Sequence, residues 1–169
     1  MRFLSRGWAD GDLSEQECDR ARAEYAARLD EIWERLPSSM RKLAREVSLH
    51  DAVIERVVWT PASKELLIVL VAGTRERGYQ GVSLTYRGAL LGPRRVESLR
   101  RAAMDRETEV LYDEVDIDDG GLLVHRILFW PREEVTVDFQ ELELAVEARA
   151  DRRAPLGGAF IERLPEDEA

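Results

Sequence analysis

The first fifty residues have the hydrophobic pattern of amphipathic helices. Ser14 and Glu17 have the spacing of a capping box, in which each side chain bonds the backbone N–H of the other residue. From there, apolar residues recur every three or four positions as far as Leu36, and Pro37 follows. A second stripe begins after two serines that can cap a helix, and its members are Met40, Leu43, Ala44 and Val47. Two helices are therefore predicted in a helical part, residues 1–49.

The pattern changes at residue 50, and residues 50–149 have the dense, β-branched apolar content of strands. The first three predicted strands are centred on 53–59, 66–71 and 82–86, and the short links between them favour an antiparallel meander. The following segment, 93–106, begins with a proline and fits two interpretations. It is either a short helix with its arginines outward or an irregular crossover loop.

A β-hairpin is predicted around the Asp-Gly pair at 119–120, which is the favoured dipeptide of a two-residue type I′ turn. This turn sets the pairing of the two flanking strands. It places Asp113 opposite Arg126, where the two charges neutralise each other on an otherwise apolar face. On the other face it places Glu114 opposite His125. The hairpin is thus expected to bury one ion pair and expose one His-Glu pair.

The last strand has two apolar sets that are out of phase. Alternation over 135–139 resumes over 142–146 with a shift of one position, which predicts a β-bulge or bend at residues 140–141. Residues 150–169 are predicted to be a mobile acidic C-terminal tail, of which Phe160, Ile161 and Leu164 could dock a short piece. The expected fold is α+β, with two N-terminal helices packed on a curved, mainly antiparallel sheet of about six strands. It forms a single domain over residues 1–149.

Length and composition narrow the class of protein. The chain has 169 residues, two histidines and one cysteine, which fits one domain with its own hydrophobic core. No apolar run approaches the roughly 18 residues of a membrane helix, so no membrane association is expected. Cys18 has no partner for an intramolecular disulfide, and no apolar stretch of signal-peptide length follows the first two residues. A cytoplasmic location is therefore expected.

The charge distribution favours a basic protein partner. The formal net charge is -9, and residues 107–119 hold seven acids and no base. Such a charge repels a phosphate backbone, which makes nucleic acid an unfavourable partner. An acidic β surface would instead attract a cationic protein. The residues predicted to form this acidic face are Glu109, Glu114, Asp116, Asp118 and Asp119.

An alternative site combines histidine with carboxylates. His125 would share a hairpin face with Glu114, Asp116 and Tyr112, and such a cluster suits a metal ion or general acid–base catalysis. The pair His50 and Asp51 lies at the junction of helix and strand. The two histidines, however, lack the short spacing of zinc motifs, and no P-loop, dinucleotide-binding or C-x-x-C motif is present. We therefore predict no metal and no cofactor, and a non-enzymatic binding protein rather than an enzyme.

Three short segments resemble an uncharacterised family of small bacterial proteins. They are Leu49-His50-Asp51-Ala52, Leu111-Tyr112-Asp113-Glu114-Val115 and His125-Arg126-Ile127-Leu128-Phe129, and they follow an aromatic N-terminal segment with Phe3 and Trp8. The resemblance covers most of residues 1–147. Proteins of this general build are also found among the immunity proteins that neutralise bacterial toxins. The resemblance implies an immunity-like binding role and assigns no catalytic residue.

Overall fold

The computed structural model describes residues 1–152 and 159–164. This part of the chain contains four α-helices and eight β-strands. The helices are α1 (Arg6–Ala9), α2 (Glu15–Ile32), α3 (Ser38–Glu46) and α4 (Pro93–Met104). The strands are β1 (Val53–Thr60), β2 (Glu65–Thr74), β3 (Gly78–Arg87), β4 (Glu109–Ile117), β5 (Leu123–Trp130), β6 (Glu134–Phe139), β7 (Glu141–Arg149) and β8 (Ala159–Glu162). The α+β class is confirmed, and the sheet has more strands than the six expected.

Local sequence signals account for where the helices begin. The Ser14 hydroxyl accepts the backbone N–H of Glu17, and the Glu17 carboxylate accepts the backbone N–H of Ser14, so the predicted capping box is present. A serine cap on α3 is not present, because Pro37 is its N-cap residue and Ser38 is already helical. The segment after Gly92 is a helix and not a loop, with Pro93 in the first turn.

The sheet has the strand order β6-β5-β4-β1-β2-β3-β7, and every neighbouring pair in this order is antiparallel. Strands β1 and β4 meet only where Val53 pairs with Glu109. Beyond this pair the two strands run in opposite directions away from each other. Strand β8 occupies the remaining edge of β1 in parallel orientation, next to Arg56–Trp59. The sheet therefore consists of two parts, β8-β1-β2-β3-β7 and β4-β5-β6.

The two parts of the sheet are also joined at a corner of the chain. Strand β6 ends at Phe139 and β7 begins at Glu141, so the predicted irregularity at 140–141 is a passage from one edge of the sheet to the other. The Gln140 N–H donates to the carbonyl of Arg87. Gly88 next to it has a φ of +65°, and a Cβ there would lie 2.7 Å from the Gln140 side-chain oxygen. The positive φ therefore favours glycine at the corner.

The predicted register of the hairpin is wrong by one residue. Gly121 has a φ of +85°, its N–H donates to the carbonyl of Asp118, and the loop holds three residues instead of two. Arg126 consequently lies opposite Glu114 and not Asp113, and His125 lies opposite Val115. A bulge between Val110 and Tyr112 shifts the pairing again nearer the start of β4.

The predicted tail is docked over 159–162, where the segment with Phe160 and Ile161 forms strand β8 on the edge of β1. Phe160 packs against the hydrophobic core, and the Arg163 N–H donates to the carbonyl of Trp59. The rest of the predicted tail includes 153–158 and 165–169, which lie outside the described residues. The core itself lies between the two parts of the sheet and includes residues of α3 and α4, such as Met40 and Leu99.

Candidate functional site

The side chain of Glu114 is fully buried on β4 and holds the N-terminal segment of the chain. Its two carboxylate oxygens accept the backbone N–H groups of Arg2, Phe3 and Leu4 at 2.9, 2.7 and 2.6 Å. The Arg126 guanidinium lies 3.7 Å away and supplies a compensating charge. Three N–H donors and a cation make this buried carboxylate well satisfied. Glu114 therefore has a structural role inside the protein, and its side chain is not accessible at the surface.

Asp116 is the second buried carboxylate of β4. Burial alone would raise its pKa, but side-chain hydrogen bonds from Arg28 and Arg126 and the backbone N–H of Ile117 outweigh that effect and lower the pKa below its usual value. Arg28 donates from Nε at 2.9 Å, and Arg126 donates from Nη1 at 3.1 Å. Asp116 therefore stays ionised inside a network that links β4, β5 and α2.

Helix α2 covers the edge of β4 that β1 leaves unpaired. The Tyr25 hydroxyl accepts the Val115 N–H at 2.8 Å, and Arg28 donates to the carbonyl of Ile117 at 2.9 Å. These side chains replace the hydrogen bonds that a neighbouring strand would make. Burial raises the pKa of Tyr25, and nearby Asp113, Glu114 and Asp116 raise it further, so its hydroxyl stays protonated.

His125 is fully buried between the two parts of the sheet, on the opposite face of the hairpin from Glu114. Its Nδ1 lies 2.7 Å from the hydroxyl of Tyr86 on β3, and its Nε2 lies 3.0 Å from a carboxylate oxygen of Asp113. Burial raises the pKa of Tyr86 well above its usual value, so the hydroxyl keeps its proton. The Asp113 carboxylate only accepts, so Nε2 donates to it, which leaves Nδ1 of a singly protonated ring to accept from Tyr86.

His50, Asp51 and Tyr112 lie together on the surface. The His50 Nδ1 lies 2.6 Å from the carbonyl of Leu111, the bulged residue of β4, so this nitrogen carries the proton and donates. Nε2 lies 3.5 Å from the Asp51 carboxylate. The His50 ring stacks on Tyr112, which in turn packs on the Trp8 ring with centroids 4.2 Å apart. His125 is not part of this group.

Asp51 adopts a backbone conformation that L-residues rarely take, with a φ of +61°. The Asp51 N–H donates to the carbonyl of Val110, and the Arg152 guanidinium donates to the carbonyl of Asp51. These contacts hold the strained residue beside His50. Backbone strain maintained by the surroundings is characteristic of functional sites. The sequence indicated a His-Asp pair here but gave no sign of the strain or of the contact with Trp8.

The five acids predicted to form one exposed face are dispersed. Glu114 and Asp116 are buried, because the N-terminal segment and α2 cover their side of the sheet. Glu109 forms an ion pair with Arg152. Asp118 and Asp119 remain accessible at the turn between β4 and β5, although Asp118 also accepts the Leu122 N–H. The predicted face is therefore reduced to the tip of the hairpin.

A third acid lies at the hairpin tip, on helix α2. Glu31 pairs with Arg28 at 2.8 Å, and Arg28 donates to Ile117, the residue directly before the turn. The Glu31 side chain is 67% exposed. We call Glu31, Asp118 and Asp119 the acidic tip. Sequence analysis missed Glu31, because the contact between α2 and β4 joins residues that are far apart in the chain.

No family model, curated protein or solved structure matches the sequence. Within 1–152 and 159–164, no three or more His, Cys, Asp or Glu side chains are grouped so that they could hold a metal ion. The helices of the described part are too short or too polar to cross a bilayer. The geometry of the side chains is therefore the basis for the functional proposal.

Proposed function

We propose that the protein is a non-enzymatic binding protein of the immunity type and that it presents the acidic tip to a basic protein partner. The observation that carries this proposal is the projection of Asp118 and Asp119 at a hairpin turn beside Glu31 of α2. Within the described residues, Arg28 is the only cation that forms an ion pair with a residue of the acidic tip. Its guanidinium is already shared with the buried carboxylate of Asp116. The tip therefore keeps a net negative charge.

An exposed group of like charges affects association more than it affects folding. Its field accelerates the approach of an oppositely charged surface and suppresses encounters with acidic proteins, and salt screens both effects. The buried network beneath the tip fixes the strand end and the helix that carry the three acids. A rigid surface loses less conformational entropy on binding than a mobile one does. This combination suits rapid and specific binding of one basic partner.

The proposal predicts salt-sensitive capture of a basic protein. The immobilised protein is incubated with a lysate of its source organism at low and at high salt, and captured proteins are identified by mass spectrometry. The wild type is compared with the triple variant Glu31→Gln, Asp118→Asn and Asp119→Asn. We expect a basic partner to be captured at low salt and less of it at high salt. The variant should capture at least about tenfold less, because three charge pairs that each contribute modestly add up to an effect of this size.

The matched control removes three other acids from an exposed strand. Glu141→Gln, Glu143→Gln and Glu147→Gln on β7 change the net charge by the same amount and lie away from the acidic tip. This control is expected to capture the same partner as the wild type. Equal losses in both triple variants would mean that only net charge matters, and the proposed site would be wrong. A toxin-like gene beside the gene for this protein would specify the partner further.

A second candidate function is a metal-dependent or acid–base enzyme that uses His50 and Asp51. The observation that favours it is the orientation of His50, whose Nδ1–H is fixed by Leu111 while Nε2 faces the Asp51 carboxylate at the surface. A histidine oriented through a backbone carbonyl is common at metal and proton-transfer sites. Two protein ligands leave most positions of a metal ion open, so a bound ion would have space for a substrate.

Zinc titration distinguishes this candidate. If it holds, calorimetry shows saturable binding that is lost in His50→Ala and weakened in Asp51→Asn, in which asparagine tolerates the positive φ. Glu24→Gln, an exposed change on α2, should leave zinc binding intact. Zinc binding that is absent, or that survives the loss of the His50 imidazole, would rule out the metal-dependent form of this candidate.

A further inference from the structure

A groove with a volume of about 510 Å³ lies at the opposite end of β1 from its contact with β4. Its walls come from the end of β1, the turn between β1 and β2, the segment between β3 and α4, and strand β6. They are lined by Trp59, Pro61, Lys64, Ala89, Leu90, Leu91, Gly92, Arg95 and Asp138. The volume is in the range of sites for small molecules.

The walls of the groove are mainly apolar, and one of the apolar residues that line it is unusually exposed. Trp59, Pro61 and Leu91 contribute apolar surface. Leu90 keeps 44% of its surface accessible, although it belongs to a segment that pairs with β6. An exposed leucine beside a concave apolar surface leaves contact area that a ligand would remove from water.

The backbone around the groove is fixed. The Leu90 N–H donates to the carbonyl of Asp138 at 2.8 Å, and the Ala89 N–H donates to the carbonyl of Lys64, also at 2.8 Å. Lys64 itself has a φ of +53°, and its N–H donates to the carbonyl of Pro61. Three separate segments are therefore tied together around the groove. Walls that are fixed by such bonds lose little conformational freedom on binding.

Among the described residues, the charges that line the groove leave one cation without a counterion. Arg95 forms an ion pair with Asp138 and also donates to the carbonyl of Leu90. No ion pair or side-chain hydrogen bond of Lys64 is formed within the described residues. The two cations and one carboxylate of the groove therefore leave a single positive charge, on a protein whose formal net charge is -9. That charge suits one anionic group, and the apolar walls suit the rest of the ligand.

We propose that this groove binds a small organic monocarboxylate with an aromatic or branched apolar body. The carboxylate pairs with the Lys64 ammonium, and the apolar body contacts Leu90, Leu91 and Trp59. Arg95 is already satisfied by Asp138, so its role is to hold the wall of the groove in position. This site is separate from the acidic tip and independent of the proposed protein partner.

The sequence provides a selective probe for this site. Lys42 and Lys64 are its only two lysines, and Lys42 lies on α3 outside the groove. Reductive methylation with isotope-labelled methyl groups keeps both positive charges and gives each lysine its own NMR signal. The protein is titrated with naphthoate and, separately, with neutral naphthamide. We expect naphthoate to shift the Lys64 signal and leave the Lys42 signal unchanged.

The affinity should depend on the charge of both partners. We expect naphthoate to bind about tenfold more tightly than naphthamide, and Lys64→Gln to remove that preference, since a charged hydrogen bond contributes on this scale. Lys42→Gln is the matched control and should change neither affinity. Leu90→Ser should weaken both ligands alike. Equal affinities for the two ligands, equal shifts at both lysines, or no binding of naphthoate would each overturn the proposal.

Discussion

Replacing Glu114 with alanine is expected to lower the free energy of unfolding by about 3–5 kcal/mol. The side chain is fully buried and accepts three backbone N–H groups from the N-terminal segment. Its removal leaves those donors without an acceptor and leaves Arg126 with Asp116 as its only remaining ion pair. Denaturant unfolding followed by circular dichroism measures the loss.

Two further variants separate charge from hydrogen bonding at this position. Glu114→Gln keeps one carbonyl acceptor and removes the charge, so its loss of stability should fall between that of the wild type and that of Glu114→Ala. Asp119→Ala at the exposed turn should stay within about 0.5 kcal/mol of the wild type. Hydrogen exchange at the Phe3 and Leu4 amides should accelerate in Glu114→Ala. Slow exchange there would show that something other than Glu114 holds the N-terminal segment.

Replacing His125 with alanine is the second change with a large expected effect, also about 3–5 kcal/mol. The imidazole fills space between β3 and β5 and is hydrogen-bonded at both nitrogens. The variant gains a cavity, and the Tyr86 hydroxyl loses its partner inside the core. Chemical denaturation of the purified variant gives the value directly.

Tyr86→Phe tests whether the hydrogen bonds contribute beyond packing. It keeps the ring and leaves only the His125 Nδ1 without a partner, which predicts a loss of about 1–3 kcal/mol. His50→Ala is the matched control, because His50 is exposed and its loss should cost less than about 1 kcal/mol. A stability change in His125→Ala as small as that of His50→Ala would contradict the buried network.

Helix and strand identity could be predicted from the sequence where the signal is local. The capping box at Ser14 and the apolar stripe after it are complete within one helix. The dense apolar content of β1 and β2 and the alternation in β3 are likewise complete within each strand. The hairpin register depends instead on whether Gly121 adopts a positive φ. Two adjacent glycines allow either loop length, so the sequence could not decide between the two pairings.

The change of strand at Gln140 was hidden for a related reason. A bulge within one strand and a passage between two strands both shift the apolar alternation by one position. They differ only in which neighbours the second half pairs with, and here β7 pairs with β3 whereas β6 pairs with β5. Pairing partners are a property of the whole fold.

The candidate sites were predictable only where they are contiguous. His50 and Asp51 are adjacent in the chain, whereas the contacts of His50 with Leu111 and Tyr112 join residues that are far apart in sequence. The burial of Glu114 depends on contacts with the N-terminal segment, more than a hundred residues away in sequence. The groove at Lys64 likewise combines three separated segments. Neither feature has a local pattern in the sequence.

The one-residue connection at Gln140 determines how the molecule assembles. Strands β6 and β7 belong to different parts of the sheet and are joined with no slack, so neither part can finish its edge before the other is in position. The contact between Val53 and Glu109 closes a second long loop of chain between the same two parts. Closure of such loops precedes the contacts that reward it, which slows folding. We therefore expect the two parts of the sheet to unfold together, in a single cooperative transition.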